Sequence, residues 1–178
     1  MVANEMSKIS IQTYQSPAGE ILLGSYEGKL CLADWKYRKM RTGIDKRLQK
    51  GLNATYIEES SEVIEQTIVQ MDAYFEGKRK VFDIPLLMVG TDFQKSVWKG
   101  LMAIPYGTTA SYLELSRHIG NEKAVRAVAS ANGANAISIL IPCHRIIGSN
   151  GDLAGYAGGL PAKKKLLDLE KNVFVEVS

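Results

Sequence analysis

The sequence predicts an α/β half followed by a mostly α-helical half, divided near Gly90 into segments 1–90 and 91–178. Three observations carry this. The first third holds short β-rich runs broken by turn residues. Later segments repeat apolar residues about every four positions. The charge is also uneven: residues 1–90 balance 12 Lys/Arg against 12 Asp/Glu, while residues 91–178 hold 10 against 7, so the whole excess of +3 lies in the second half. An excess of this sign fits an anionic partner, or simply a soluble surface.

In order along the chain, "SIQTYQSPAGEILLGSYEGKLCLADW" gives three strands, punctuated by Pro17-Ala18-Gly19 and Glu27-Gly28, as a meander. Cys31 alternates with its neighbours inside the third run and reads as a small core residue. "SSEVIEQTIVQMDAYFEGK" then sets Ile64, Ile68, Met71 and Phe75 on one helical face, with Ser60 or Ser61 as a cap and Gly77 as a stop. "KVFDIPLLMVGT" is an extended connector. Beyond it, Asp92 is placed to cap "FQKSVWKGLMAI", where Phe93, Val97 and Leu101 share a face. "YLELSRHIG" is a short helix ending at Gly120, and Asn121 is placed to cap "EKAVRAVASANG". Two short helices with Gly-Asn between them suit a helix-turn-helix or any αα-hairpin. Arg126, with Ala124, Ala127 and Ala131, would let the second helix approach a nucleic-acid groove, and the alanines would equally suit packing on a neighbouring helix.

With 46% hydrophobic and 23% charged residues, the composition is that of an ordinary globular protein, and no apolar run reaches membrane-spanning length. "MVANEMSKIS" lacks the apolar core of a secretory leader, so the expected location is the cytoplasm, or the nucleus in a eukaryotic cell. The two cysteines, Cys31 and Cys143, form no C-x-x-C pair and are expected as free thiols.

The unusual stretch is "ILIPCHRIIG", which sets Cys143 beside His144. The thiolate is the reactive form of cysteine, and a histidine or cation nearby lowers its pKa. Adjacent strand residues point to opposite faces, so the pair needs a turn, and Pro142 helps to supply one. A water could then relay the proton. "ISILI" would bury the thiol's back side, and Arg145 adds positive charge. An isolated Cys-His dipeptide is more often a structural cysteine beside a surface histidine. Glu170, in "KKKLLDLEKN", could orient the imidazole or be a solvated helix residue, and His118 reads as structural or solvent-facing.

Taken with "ANGAN" before it and "GYAGGLPAKKKLLDLE" after it, the Pro-Cys-His-Arg motif closely resembles the O6-alkylguanine-DNA alkyltransferases. The resemblance covers the second half from "FQKSVWKGLMAIPYGTTASY" to Glu170. It extends more loosely to "SPAGEILLGSYEGKLCLADW" and "AYFEGKRKVFDIPL". It implies a ribonuclease H-like N-terminal domain and a winged-helix-like C-terminal domain with a helix-turn-helix. That motif would enter the minor groove of double-stranded DNA containing O6-alkylguanine. Catalytic roles fall by resemblance on Cys143 as alkyl acceptor, His144 as its base through a water, Glu170 as orienter, and Tyr112 as proton donor and phosphate contact. Arg126 would fill the gap left by the flipped base, with Ala124 and Ala127 against the groove. The guanine pocket would draw on Asn135, Ile146, Gly155, Tyr156, Ala157 and Lys163. Gly158 would sit in its wall, and the carbonyls of Cys143 and Ile146 would read the exocyclic amine.

The implied reaction moves an alkyl group from O6-alkylguanine, and from O4-methylthymine, to Cys143, once per molecule. It needs no cofactor, no metal and no second subunit. The Cys/His supply of the N-terminal half is Cys31 alone, which argues against the zinc of some relatives. Ala136 and Ser138 stand where family members often have prolines, Ala157 replaces a serine, and Asn132 replaces a bulkier apolar residue. Asn132 would leave room for larger alkyl groups. A non-repairing protein that only recognises alkylguanine is the alternative, and a thiol hydrolase using Cys143 and His144 is a third class.

Overall fold

The computed structural model describes residues 7–171, so the reading of Met1–Met6 as lacking a leader and the last seven residues of the 91–178 segment lie outside it. Strands β1 (Ser7–Ser16), β2 (Gly19–Tyr26) and β3 (Lys29–Trp35) form the expected antiparallel meander. Glu27 and Gly28, both at positive φ, make the β2–β3 turn. The sequence reading leaves residues 36–59 unassigned, and they hold two further elements. Helix α1 (Arg41–Leu52) buries Ile44 and Leu48 on one sheet face, against Ile9, Cys31 and Leu32. Strand β4 (Ala54–Glu58) then runs parallel to β1, giving the order β3-β2-β1-β4. A helix with two buried apolar residues among many charges leaves little periodic signal.

Helix α2 (Glu62–Phe75) covers the other face, and the Ser61 side chain accepts the Ile64 amide at its start. Its buried stripe is Val63, Ile64, Thr67, Met71 and Tyr74. The expected face was centred too far round: Ile68 and Phe75 are half-buried flanks, and Tyr74 points fully inward.

The edge of β3 decides where the second half sits. Leu30 donates to Pro85 O (2.8 Å) and accepts from Leu87 N (2.8 Å), so the connector pairs with that edge. Ala33 then donates to Ala136 O (2.8 Å) and accepts from Ser138 N (2.6 Å). The chain just before Cys143 is thus hydrogen-bonded to the N-terminal sheet.

Helix α3 (Asp92–Met102) is capped by Thr91, not by Asp92 as expected. Thr91 and Gln94 form a reciprocal capping box, for which the sequence T-D-F-Q has the required spacing. Helix α4 (Tyr112–His118) has a second such box from Ser111 and Glu114. Asn121 provides no side-chain cap. A 3-10 turn, Glu122–Ala124, precedes α5 (Val125–Gly133) instead. Ala131 is buried, and its carbonyl accepts the Trp98 indole N–H of α3 (2.9 Å), so this alanine faces a helix and not a groove. Helix α6 is Leu160–Glu170. One apolar cluster runs from Tyr14, Ile21 and Leu23 through Trp98 and Leu101 to Cys143, Ile146 and Leu166, joining the α/β sheet half and the helical half. Among the described residues no helix is long and apolar enough to cross a membrane.

Candidate active site around Cys143

Cys143 follows two unusual turns. Leu140 N donates to Ser138 O (2.9 Å) around Ile139, whose φ is +72°. This γ-turn is of the strained, positive-φ kind, and a β-branched residue there costs on the order of 1–3 kcal/mol. Cys143 N then donates to Ile141 O (2.8 Å) around Pro142, at φ −81° and ψ 64°, an inverse γ-turn that proline's fixed φ favours. Asn135 locks the pair of turns. Its side-chain amide donates to Ile137 O (3.3 Å) and Ile141 O (2.9 Å), and its oxygen accepts Ile137 N (3.0 Å). The apolar run "ISILI" is therefore a folded hook whose side chains are buried.

The hook delivers Cys143, His144 and Arg145 as one 3-10 turn, all three buried. His144 Nε2 lies 2.6 Å from Glu170 Oε2 at the end of α6. Arg145 adds Nε to Oε1 (2.8 Å) and Nη2 to Oε2 (3.2 Å), and its Nη1 reaches Ile104 O (2.6 Å). The sequence reading gave Arg145 no more than a nearby charge; its work is to grip Glu170. Burial alone would push the Glu170 carboxyl up, yet the hydrogen bonds and charges of His144 and Arg145 hold it down at about 2. An ionised carboxylate only accepts, so the hydrogen sits on Nε2 of the neutral imidazole. Nδ1 is then the free acceptor, and it is buried with no partner among the described residues. Burial lowers the His144 pKa, and Glu170 opposes that shift.

The surroundings act on the Cys143 thiol in two directions. Burial pushes Cys143 up, outweighing the downward pull of the Asn135 side chain, Arg38 and Lys163. Cys143 is 4% exposed and needs a base to become a thiolate.

The other expected residues fall in three groups. Tyr112 is half-buried at the start of α4, and the Asn132 amide donates to its hydroxyl (3.5 Å). Asn132 is buried, and its Oδ1 has no partner among the described residues. Arg126 and Ala127 are exposed on α5, Ala124 is half-buried, and His118 is exposed.

The loop after the hook carries the rest. Tyr156 stacks edge-on to Trp35 (centroids 5.8 Å), accepts its indole N–H (3.1 Å) and lies 6.4 Å from the His144 ring. Gly158 lies so close to Trp35 that a Cβ would sit 2.6 Å from the indole, so this glycine serves approach to a tryptophan. Gly155 has open space around its α-carbon. A cleft of about 640 Å³ is lined by Tyr156, Ala157 and Gly158 together with Trp35, Arg38 and Met40.

Lys163 is fully buried and ties the loop from within, donating to the carbonyls of Ile146, Leu153 and Gly155. The Ile146 carbonyl expected to read a base therefore already accepts one donor, the Lys163 ammonium, and keeps a second lone pair.

Sequence reasoning missed the contribution of the N-terminal half. Arg38 Nη2 reaches Gly133 O (2.5 Å) and Arg47 Nη2 reaches Ala134 O (2.8 Å), so two cations meet the carbonyl end of α5. Asp34, fully buried, holds Arg38 (3.2 Å) and Arg41 (3.0 Å). Tyr74 of α2 donates to Glu170 Oε2 (2.6 Å). Its only trace in sequence was its place in "DAYFEGK".

Residues 92–172 match the family described as 6-O-methylguanine DNA methyltransferase, DNA binding domain, and residues 9–88 match its ribonuclease-like domain. The chain is 47% identical over 158 residues to a methylated-DNA–protein-cysteine methyltransferase of Methanosarcina barkeri, covering 89% of this chain and 94% of that protein. An inducible methyltransferase of the same name from Bacillus subtilis is 45% identical over 129 residues, 72% of each. Among solved structures, Mycobacterium tuberculosis OGT in complex with DNA superposes with a TM-score of 0.78 at 39% identity, over 93% of both chains. The O6-methylguanine-DNA methyltransferase of Pyrococcus kodakaraensis, at 20% identity and a TM-score of 0.62, shares the fold.

Proposed function

The chain belongs to the 6-O-methylguanine DNA methyltransferase family and acts in DNA repair as a methylated-DNA–protein-cysteine methyltransferase, and from that premise we propose that Cys143 is the residue that takes the alkyl group. The observation that carries the assignment is the chain of contacts from Glu170 through Nε2 of His144, which leaves Nδ1 as a buried, unpartnered acceptor on the residue that follows a buried cysteine.

His144 Nδ1 takes the thiol proton through a water. The sulfur attacks the alkyl carbon of O6-alkylguanine, or of O4-methylthymine, in line with the C–O bond. The S–C bond forms as the C–O bond breaks, and its electron pair passes to the base. The base anion accepts a proton at its ring nitrogen from Tyr112, and the tyrosinate regains one from the His144 imidazolium through water, so the thiol proton ends, in net, on the released base. The thioether has no leaving route, hence one turnover per molecule. No step needs a cofactor.

For this chemistry the base must leave the duplex. Helices α4 and α5 with the intervening 3-10 turn serve as the helix-turn-helix of a winged-helix-like domain, with the division from the ribonuclease H-like domain at Gly90. Exposed Arg126 enters the minor groove of double-stranded DNA and fills the gap, with Ala127 and Ala124 against the groove, and Tyr112 presses on the phosphate. Tyr156 lies against the flipped base, walled by Gly155, Ala157 and Gly158. Asn135 and Lys163 hold the hook and the loop, with Ile146 as the floor.

The test is a duplex oligonucleotide carrying one O6-methylguanine, followed by intact and peptide mass spectrometry. One added methyl group on the Cys143 peptide, saturating at one per protein, is expected. DNA binding without methyl uptake would make this a recognition protein and refute the assignment.

A further inference from the structure

Glu170 is met by donors on every side, and one of them comes from the other half of the molecule. Oε2 accepts His144 Nε2 at 2.6 Å and the Tyr74 hydroxyl, also at 2.6 Å. Arg145 spans both oxygens, and the Gly107 amide reaches Oε1 at 3.4 Å. Tyr74 lies on α2, 96 residues away in sequence, and is fully buried. Phe75, Phe82 and Tyr106 surround its ring at 5.2–6.2 Å. A phenylalanine would fill that space without burying a hydroxyl, and the hydroxyl's one hydrogen bond among the described residues goes to Glu170. Burial and the Glu170 charge push the Tyr74 pKa well above the ordinary range, so Tyr74 keeps the proton that it donates to Glu170.

We propose that Tyr74 is a positioning residue for the alkyl transfer: by donating to the carboxylate oxygen that also holds His144, it fixes Glu170 and limits that oxygen's pull on the imidazole, keeping His144 neutral with Nδ1 free. The proposal rests on the reading of His144 as the thiol's base. Two donors at one oxygen compete for its charge. Without the Tyr74 proton, Oε2 holds imidazolium more tightly. The His144 pKa then rises, and the neutral base becomes scarcer at a given pH. The other groups near the pair are Arg145 and Lys163, Cys143 as the preceding residue of the turn, Tyr156 at 6.4 Å from the His144 ring, and Tyr106 with Lys80 at 5.7 Å over its face. Of these only Arg145 also donates to Oε2.

The test uses the full chain with exposed His118 changed to Asn, so that His144 is the one imidazole. Nitrogen-15 NMR of the ring follows its tautomer and titration with and without Tyr74→Phe. Both forms are expected to carry hydrogen on Nε2, and the midpoint is expected to rise by roughly 0.5–1 pH unit in Tyr74→Phe. Single-turnover methyl uptake is then measured across pH. The Tyr74→Phe rate should fall about threefold to tenfold below the midpoint and converge with the parent at alkaline pH, with DNA affinity unchanged. Phe75→Leu, which loosens α2 without touching Glu170, should leave the midpoint in place.

An unmoved midpoint in folded Tyr74→Phe overturns the proposal. So does a rate lowered by one factor at every pH, or a midpoint that moves while the rate profile does not. If Tyr74→Phe fails to fold, the parent decides: hydrogen on Nδ1, or titration above the ordinary histidine range, overturns it. A parent that takes up no methyl at any pH removes the reading of His144 on which the proposal rests, whatever the NMR shows.

Discussion

Cys31 and Cys143 are both free and both buried, and burial raises the pKa of each thiol. The Cys31 thiol is pushed up to about 12, and the one hydrogen bond of its sulfur among the described residues goes to the Gly24 carbonyl at 3.6 Å. It sits in a strand, where neighbouring side chains leave for the opposite face. Cys143 sits in a hook of two γ-turns, with the Asn135 side chain and the charges of Arg38 and Lys163 acting against its burial, and an imidazole next in sequence. Burial therefore does not separate a structural thiol from a reactive one. The difference lies in what the backbone brings next to the cysteine, and the hook brings an imidazole whose Nε2 is anchored by Glu170 and whose Nδ1 has no partner among the described residues.

The sharpest way to break this comparison is to remove each sulfur in turn. Cys143→Ala should abolish methyl uptake from an O6-methylguanine duplex, read by peptide mass, while DNA binding persists. Cys31→Ala should retain full uptake and lose about 1 kcal/mol of stability for the small cavity left. Uptake surviving in Cys143→Ala, or vanishing in Cys31→Ala, would reverse the assignment.

The anchored Nε2 gives the next effects. Glu170→Gln removes the charge that orients His144 and should slow uptake on the order of 10²-fold. It should also alter acid stability. The folded-state pKa of Glu170, about 2, lies below its unfolded value near 4.5. Its stabilising contribution is thus fully present above pH 4.5 and is lost as pH falls towards 2. Melting temperatures taken from pH 6 to pH 2 should fall more steeply for the parent than for Glu170→Gln. Parallel curves would mean that the carboxylate is not held as described.

The hook itself was only partly legible in the sequence. Pro142 announced a turn, and the Pro-Cys-His-Arg motif announced the chemistry, because both signals are local. The strand meander was legible for the same reason, through alternation and the Glu27-Gly28 turn. The positive φ at Ile139 was not, since no residue preference points to it; only the Asn135 clamp and the pairing of Ala33 with Ala136 and Ser138 hold it there. Tyr74, Arg38 and Arg47 were missed because their partners lie 87–97 residues away, and pairings at that range leave no pattern in one chain. Asn135→Ala tests the clamp directly. It strands Ile137 N in a buried place and takes one of two donors from each of Ile137 O and Ile141 O, which keep Ile141 N and Cys143 N, and should cost about 1–3 kcal/mol in denaturant titration, with uptake slowed as the hook relaxes.

The smallest expected effect concerns the loop that carries Tyr156. Trp35 donates its indole N–H to the Tyr156 hydroxyl (3.1 Å), and its ring lies under Gly158. Trp35→Phe deletes the donor but keeps an aromatic face for the loop. The Tyr156 hydroxyl loses one hydrogen bond, worth roughly 0.5–1.5 kcal/mol, and the ring remains held edge-on. The loop is also tied from within by Lys163 to three carbonyls, so it should stay in place. Uptake should therefore fall by only about twofold to tenfold, with the melting temperature nearly unchanged. Gly158→Ala probes the same contact by collision, because its Cβ would lie 2.6 Å from the indole. Combined with Trp35→Phe, whose smaller ring withdraws from that position, the alanine should cost less than it does alone. That sub-additivity, measured as uptake rate in a double-mutant cycle, would place Trp35 and the loop in one mechanical unit. Strictly additive losses would mean that the loop's position is set by Lys163 alone.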